Sequence, residues 1–144
     1  MYGEDYETLT ERYRQVLREA YPPAFQASAK RLEEKDASDL EDILQFLEAD
    51  PVFYGSGYTK EWALKRLKQL PQIPPPYAEH LQNIILHQVD TVARREFKYY
   101  GRLAVRLDNE SLRVALHKRI DSQRTDPDVK WRAKRILAYL PLPK

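Results

Sequence analysis

Residues 126–141 read Asp-Pro-Asp-Val-Lys-Trp-Arg-Ala-Lys-Arg-Ile-Leu-Ala-Tyr-Leu-Pro. An aspartate followed by proline is the favoured order for opening a helix: the carboxylate accepts an orphan backbone amide, and the proline's fixed φ suits the first helical position. Val129, Ala133, Ile136, Leu137 and Leu140 then recur at intervals of three and four, so one stripe is apolar. Pro141 stops the run. The stretch therefore predicts one amphipathic helix with a marked start and a marked end.

The same grammar holds along the rest of the chain. Asp50-Pro51 ends one segment, and a helix predicted from about Thr59 to Leu70 turns Ala63, Leu64, Leu67 and Leu70 inward before Pro71. The spacing from alanine to proline, Ala63 to Pro71, is repeated from Ala133 to Pro141. Upstream, Ser38-Asp39-Leu40-Glu41 reads as a capping box, opening a helix that buries Leu40, Ile43, Leu44 and Leu47. Tyr6, Leu9, Tyr13, Val16, Leu17 and Ala20 give a helix over about 5–20, and Phe25, Ala29 and Leu32 a shorter one. Downstream, Asp108-Asn109 opens a helix carrying Leu112, Ala115, Leu116 and Ile120.

Between them, helical periodicity runs from Tyr77 to Leu107. A single helix of that length would extend about 46 Å at 1.5 Å per residue. Val89-Asp90-Thr91 is a run of weak helix formers, with Asp90 or Thr91 able to cap a new start, so two helices are expected. One kinked helix is the alternative.

Composition agrees with an all-helical chain. Of 144 residues 32% are charged and four are glycine, too few turn glycines for a strand-rich domain. The ten prolines lie between periodic segments and punctuate them. The absence of cysteine excludes a disulfide framework, thiolate zinc sites and a cysteine nucleophile. No basic stretch followed by an apolar one begins the chain, and no apolar run approaches membrane-spanning length. A soluble, cytoplasmic protein with no membrane association is expected.

With a central pair from Pro71 to Leu107, the helix pairs recur every 35 residues or so, a period typical of helical-repeat families. Over residues 36–141 the chain resembles HEAT-type repeats, on the turn Asp-Pro and the small and aliphatic residues at fixed spacing in the second helix, as in Asp126-Pro127 through Ala133. The resemblance implies a short right-handed α-solenoid of about seven helices. It would form a single domain over 1–144, with capping helices in 1–36 and three helix-pair repeats in 37–144.

Catalytic chemistry finds no support. His80 and His87 are seven residues apart, too far for a zinc site of the i, i+4 kind, and neither they nor His117 sits in an acid-bearing motif. Acid pairs such as Glu33-Glu34 lie where helix dipoles account for them. No cofactor and no metal is expected. Gly55-Ser56-Gly57-Tyr58-Thr59-Lys60 offers backbone amides, hydroxyls and a lysine before a helix, a conceivable anion cradle, though it lacks the phosphate-loop spacing and reads equally as a turn with a cap. Phe53, Tyr54 and Tyr58 beside it are either core plugs or a recognition patch; Ser56 and Lys60 complete that candidate site.

Charge is segregated. Residues 1–90 carry 10 Lys and Arg against 16 Asp and Glu, whereas residues 91–144 carry 14 against 6. Arg94, Arg95, Lys98, Tyr99, Arg102 and Arg106, followed by Lys130 and Arg132, are the candidate contacts of this basic half. The reading is a non-catalytic binding or scaffold module for a protein partner, acidic in character, with self-association of opposite charges as a variant. Nucleic acid is the alternative occupant, because clustered cations with interleaved tyrosines suit phosphates and bases.

Overall fold

The computed structural model describes residues 21–52 and 55–142. The expected helix over 5–20, and Phe53 and Tyr54, lie outside them. Among the described residues there are seven α-helices and no strand: α1 (Pro23–Glu33), α2 (Glu41–Ala49), α3 (Ser56–Gln69), α4 (Pro75–Thr91), α5 (Phe97–Ala104, continued by a 3-10 turn Val105–Leu107), α6 (Glu110–Asp121) and α7 (Pro127–Tyr139). None of them is long and apolar enough to cross a membrane. Contacts divide the chain into two compact units, meeting in the proline connector between Pro71 and Gln72.

In the first unit α1 packs against α2 and α3. Its core is aromatic at one end: Tyr21 stacks on Phe25 with centroids 4.5 Å apart, and Phe46 meets both edge-on at 5.3 and 5.2 Å. Leu32, Leu40, Ile43, Leu44 and Leu47 continue it, all fully buried. The expected capping box at Ser38 is not what starts α2. Asp39 Oδ1 accepts from the Glu41 amide at 3.1 Å, and the Ser38 amide donates to Asp36 Oδ1. An aspartate two residues upstream of that amide closes a tighter ring than a serine three upstream, and it displaces the box. Asp50 ends α2 in the left-handed conformation, φ 49°, where an aspartate is tolerated better than most residues.

The second unit is a cluster of four helices in which α7 touches α4, α5 and α6. Its core comprises Leu81, Ile84, Ile85, Val89, Phe97, Tyr100, Leu103, Leu107, Leu112, Leu116, Ala133 and Ile136. The long periodic segment is two helices, as expected, but the break falls at 92–96, a few residues beyond the expected place. Asp90 and Thr91 belong to the last turn of α4. Thr91 Oγ1 donates to the His87 carbonyl at 2.7 Å instead of capping α5. Both aspartate and asparagine starts further on are realised: Asn109 Oδ1 accepts from the Leu112 amide at 2.8 Å, and Asp126 Oδ1 from the Asp128 amide at 2.8 Å with Pro127 at the first position.

Arginines tie these helices together. Arg119 makes a two-pronged bond to Asp90, 2.6 and 2.8 Å, and also donates to the Ala115 carbonyl. Arg113 grips Asp108 in the same way at 2.8 Å and reaches the Pro141 carbonyl. In each case the hydrogen bond to the carboxylate is the main cause raising the guanidinium pKa above its ordinary value.

Helices α5 and α7 come close together at Gly101. A methyl group there would fall 2.9 Å from Tyr139 Cζ and nearer still to Cδ2 and Cε2, so this close approach requires glycine. Four residues earlier the Arg135 guanidinium lies 5.6 Å from the Phe97 ring centroid. Both contacts join positions 38 apart in the sequence, in the same order along both helices, so α5 and α7 run parallel.

Candidate functional site: a cationic ridge on the C-terminal unit

Helical geometry sorts the residues of this parallel pair. On α5, Phe97, Gly101 and Ala104 face α7, and Tyr100 and Leu103 face the core; on the opposite side from the core lie Lys98, Arg102 and Val105, all exposed. On α7, Ala133, Ile136 and Leu140 are buried, leaving Trp131, Lys134 and Ala138 exposed along the outer stripe. These two stripes border the same side of the α5–α7 contact. They form one ridge.

The ridge is cationic. From Phe97 to Leu107 the chain has Lys98, Arg102 and Arg106, and from Val129 to Leu142 it has Lys130, Arg132, Lys134 and Arg135, with no aspartate or glutamate in either stretch. No carboxylate within 4.0 Å pairs with Lys98, Arg102, Lys130, Lys134 or Arg135 among the described residues. The cations rest on aromatic rings instead. Lys98 Nζ and the Arg102 guanidinium lie 5.2 and 5.0 Å from the centroid of Tyr99, and Arg135 lies 4.9 Å from that of Trp131. Such contacts hold a positive charge in place without neutralising it.

The sequence candidates thus separate into groups. Lys98, Tyr99 and Arg102 are brought together on the ridge. Arg106 is exposed on the 3-10 turn that follows α5, Arg95 is exposed in the break before α5, and Arg94 there is half-buried. Lys130 is half-buried near the start of α7. Arg132 points away from the ridge and donates through Nε to the Val89 carbonyl at 2.7 Å, where it satisfies the end of α4.

The loop before α3 is not an open anion cradle. Lys60 is 1% exposed, and its Nζ lies 2.6 Å from Asp50 Oδ1. Gly55 takes φ 83° just before the helix, Thr59 Oγ1 donates to the Gly55 carbonyl, and Ser56 is buried. Tyr58 is half-buried. The turn reading describes this segment, because the ammonium that an external anion would need is already committed inside the unit.

Trp131 and Val105 belong to the ridge but not to the sequence candidates, and Lys134 and Arg135, cations of the basic half, join them there. The signal for them was the stripe opposite the apolar face of α7, which passes through Trp131, Lys134 and Ala138. A tryptophan on a solvent stripe is itself informative. Two surface grooves lie elsewhere in this unit, one along the outer face of α6 and one between α4 and α6 lined by Ala78, Gln82, Leu86 and Leu112. Neither gathers charge of one sign. No group of three or more His, Cys, Asp or Glu side chains among the described residues is placed to share a metal ion.

No protein-family model, curated protein or solved structure matches the chain.

Proposed function

We propose that the chain is a non-catalytic binding module, a short HEAT-like stack of helix pairs that engages an acidic protein partner through the ridge on α5 and α7. One observation carries it: two parallel helices expose cations along a common side, and the chain has no carboxylate from Phe97 to Leu107 or from Val129 to Leu142. A surface of this kind costs folding energy through self-repulsion and is relieved by an anionic partner.

The stacked-pair reading draws support from the parallel packing of α5 on α7 at an offset of 38 residues. In a helical repeat the second helix of each pair lies parallel to the second helix of the next, and the spacing inferred from the sequence was about 35. A protein is favoured over nucleic acid because the aromatic faces on which bases would stack already hold cations, with Tyr99 beneath Lys98 and Arg102. Exposed aliphatic side chains, Val105 and Leu142, also suit a polypeptide better than a phosphate backbone.

The test is a titration of fluorescently labelled poly-L-glutamate and of a labelled DNA duplex at matched salt. Poly-L-glutamate binding that weakens about tenfold in the variant Lys98→Ala/Arg102→Ala/Lys134→Ala is expected, since exposed ion pairs contribute roughly 0.2–1 kcal/mol each. Preferential duplex binding transfers the ridge to nucleic acid, and binding to neither probe at low salt removes the reading. Sedimentation of the protein alone covers self-association, which would appear as a salt-sensitive dimer.

A further inference from the structure

Half-buried arginines of the second unit take oxygen acceptors. Arg113 and Arg119 each hold an aspartate in a two-pronged bond, and Arg132 donates to the Val89 carbonyl. Arg135 is half-buried as well, yet it has no hydrogen bond and no ion pair among the described residues. Its guanidinium lies over two rings instead, 4.9 Å from the centroid of Trp131 on its own helix and 5.6 Å from that of Phe97 on α5.

A guanidinium so placed has given up part of its water without gaining an acceptor, which costs free energy while its N–H groups stay unpaired. The two rings, one within α7 and one across on α5, restrict the long side chain. Much of the entropy of fixing it is therefore lost on folding and not on binding. A planar fork of N–H donors remains for a ligand.

We infer that Arg135 is the specificity-determining contact of the ridge, receiving one aspartate or glutamate side chain of the partner in a two-pronged bond. This rests on the binding-module reading and deepens it. The exposed cations Lys98, Arg102 and Lys134 attract an acidic segment, and Arg135 fixes one of its carboxylates. Aromatic faces are negative, so an anion meets this guanidinium best along its edge and in its plane. A flat carboxylate makes that approach with both oxygens, as Asp108 and Asp90 do on Arg113 and Arg119. A phosphoryl group would carry further charged oxygens out of the plane. Lysine cannot replace this arginine, because an ammonium is a point charge without the fork.

Arg135→Lys keeps the charge and removes the fork. Its affinity for labelled poly-L-glutamate is expected to fall about tenfold, the scale of a hydrogen bond to a charged group. Arg102→Lys, at an exposed position, is expected to stay within about twofold of the parent. Circular dichroism checks that each variant remains folded. In the unaltered protein the Arg135 Nε–H resonance, assigned by through-bond NMR, is expected to move downfield as poly-L-glutamate is added, a readout that needs no variant.

Parental affinity in a folded Arg135→Lys, an equal loss in Arg102→Lys, or a resonance unmoved at saturation overturns the inference and leaves a diffuse acid-binding ridge. A larger shift with inorganic polyphosphate at matched charge overturns the assignment to a carboxylate. Failure of the unaltered protein to bind poly-L-glutamate at low salt overturns both this inference and the binding-module reading.

Discussion

Gly101→Ala tests the contact that creates the ridge. Alanine is favoured over glycine in a helix interior by about 1 kcal/mol, so at an open position the change would stabilise α5. Here the added methyl would overlap the Tyr139 ring, 2.9 Å from Cζ and closer still to Cδ2 and Cε2. Overpacking of this kind costs about 1–3 kcal/mol, since the ring must rotate or the helices must part. The net expectation is a loss of up to about 2 kcal/mol. In the background Tyr139→Ala the obstacle is absent, and the same substitution should stabilise by about 1 kcal/mol. The two backgrounds therefore differ in sign, and the coupling between the sites is about 1–3 kcal/mol. Urea unfolding followed by circular dichroism and tryptophan emission measures both. With a slope of about 1 kcal/mol per molar urea for a small unit, a change of 1 kcal/mol moves the midpoint by about 1 M. An equal shift in both backgrounds would mean that α5 and α7 do not meet at these positions. The parallel register, and with it the ridge, would then be wrong.

Other outcomes are expected in the same assays. Asp50→Ala removes the carboxylate paired with the buried Lys60 ammonium and should cost about 3–5 kcal/mol, whereas Asp50→Gly/Lys60→Met removes both charges and should lie much closer to the parent. Asn109→Ala and Asp126→Ala each remove a capping acceptor and should cost about 1 kcal/mol, measured as a fall in the unfolding midpoint. Gln88 is 1% exposed, and its side-chain amide has no hydrogen-bond partner among the described residues, so Gln88→Met should raise stability by about 1 kcal/mol. Burial raises the Tyr21 phenol pKa, against a smaller opposing effect of its hydrogen bond to Thr59. The neutral form therefore favours folding, a contribution fully present below about 10 and lost as pH rises through the folded value. In an absorbance titration Tyr21→Phe should remove a component that ionises above the ordinary tyrosine range.

Much of the fold was legible because its helix ends are written in local chemistry. Asp126-Pro127 and Asn109 act on amides two or three residues away, so nothing distant intervenes. The same locality explains the near misses. At 36–41 three side chains compete for neighbouring amides, and the choice of Asp39 over Ser38 depends on the loop's conformation. At 89–91 composition signalled weak helix formers, but tertiary bonds from Arg119 to Asp90 and from Arg132 to the Val89 carbonyl hold α4 intact to Thr91. Lys60 stayed open in the sequence because a lysine in a glycine-rich loop suits an external anion or an internal aspartate, and only the folded first unit, which brings Asp50 at the end of α2 to Lys60 on α3, decides between them. The ridge was half visible: each helix shows its exposed stripe in sequence, while the adjacency of positions 38 apart requires the folded unit.

That adjacency has a thermodynamic side. Packed helices lie about 8–10 Å apart, close to the screening length of about 8 Å at physiological ionic strength, so the rows on α5 and α7 feel each other's charge. Folding the second unit therefore compresses cations that the unfolded chain keeps apart. Added salt should consequently raise the melting temperature of this unit while lowering its affinity for an acidic segment, and the two slopes share one origin. On the proposed reading, an acidic partner would relieve this repulsion by supplying the counter-ions that the stretches 97–107 and 129–142 lack.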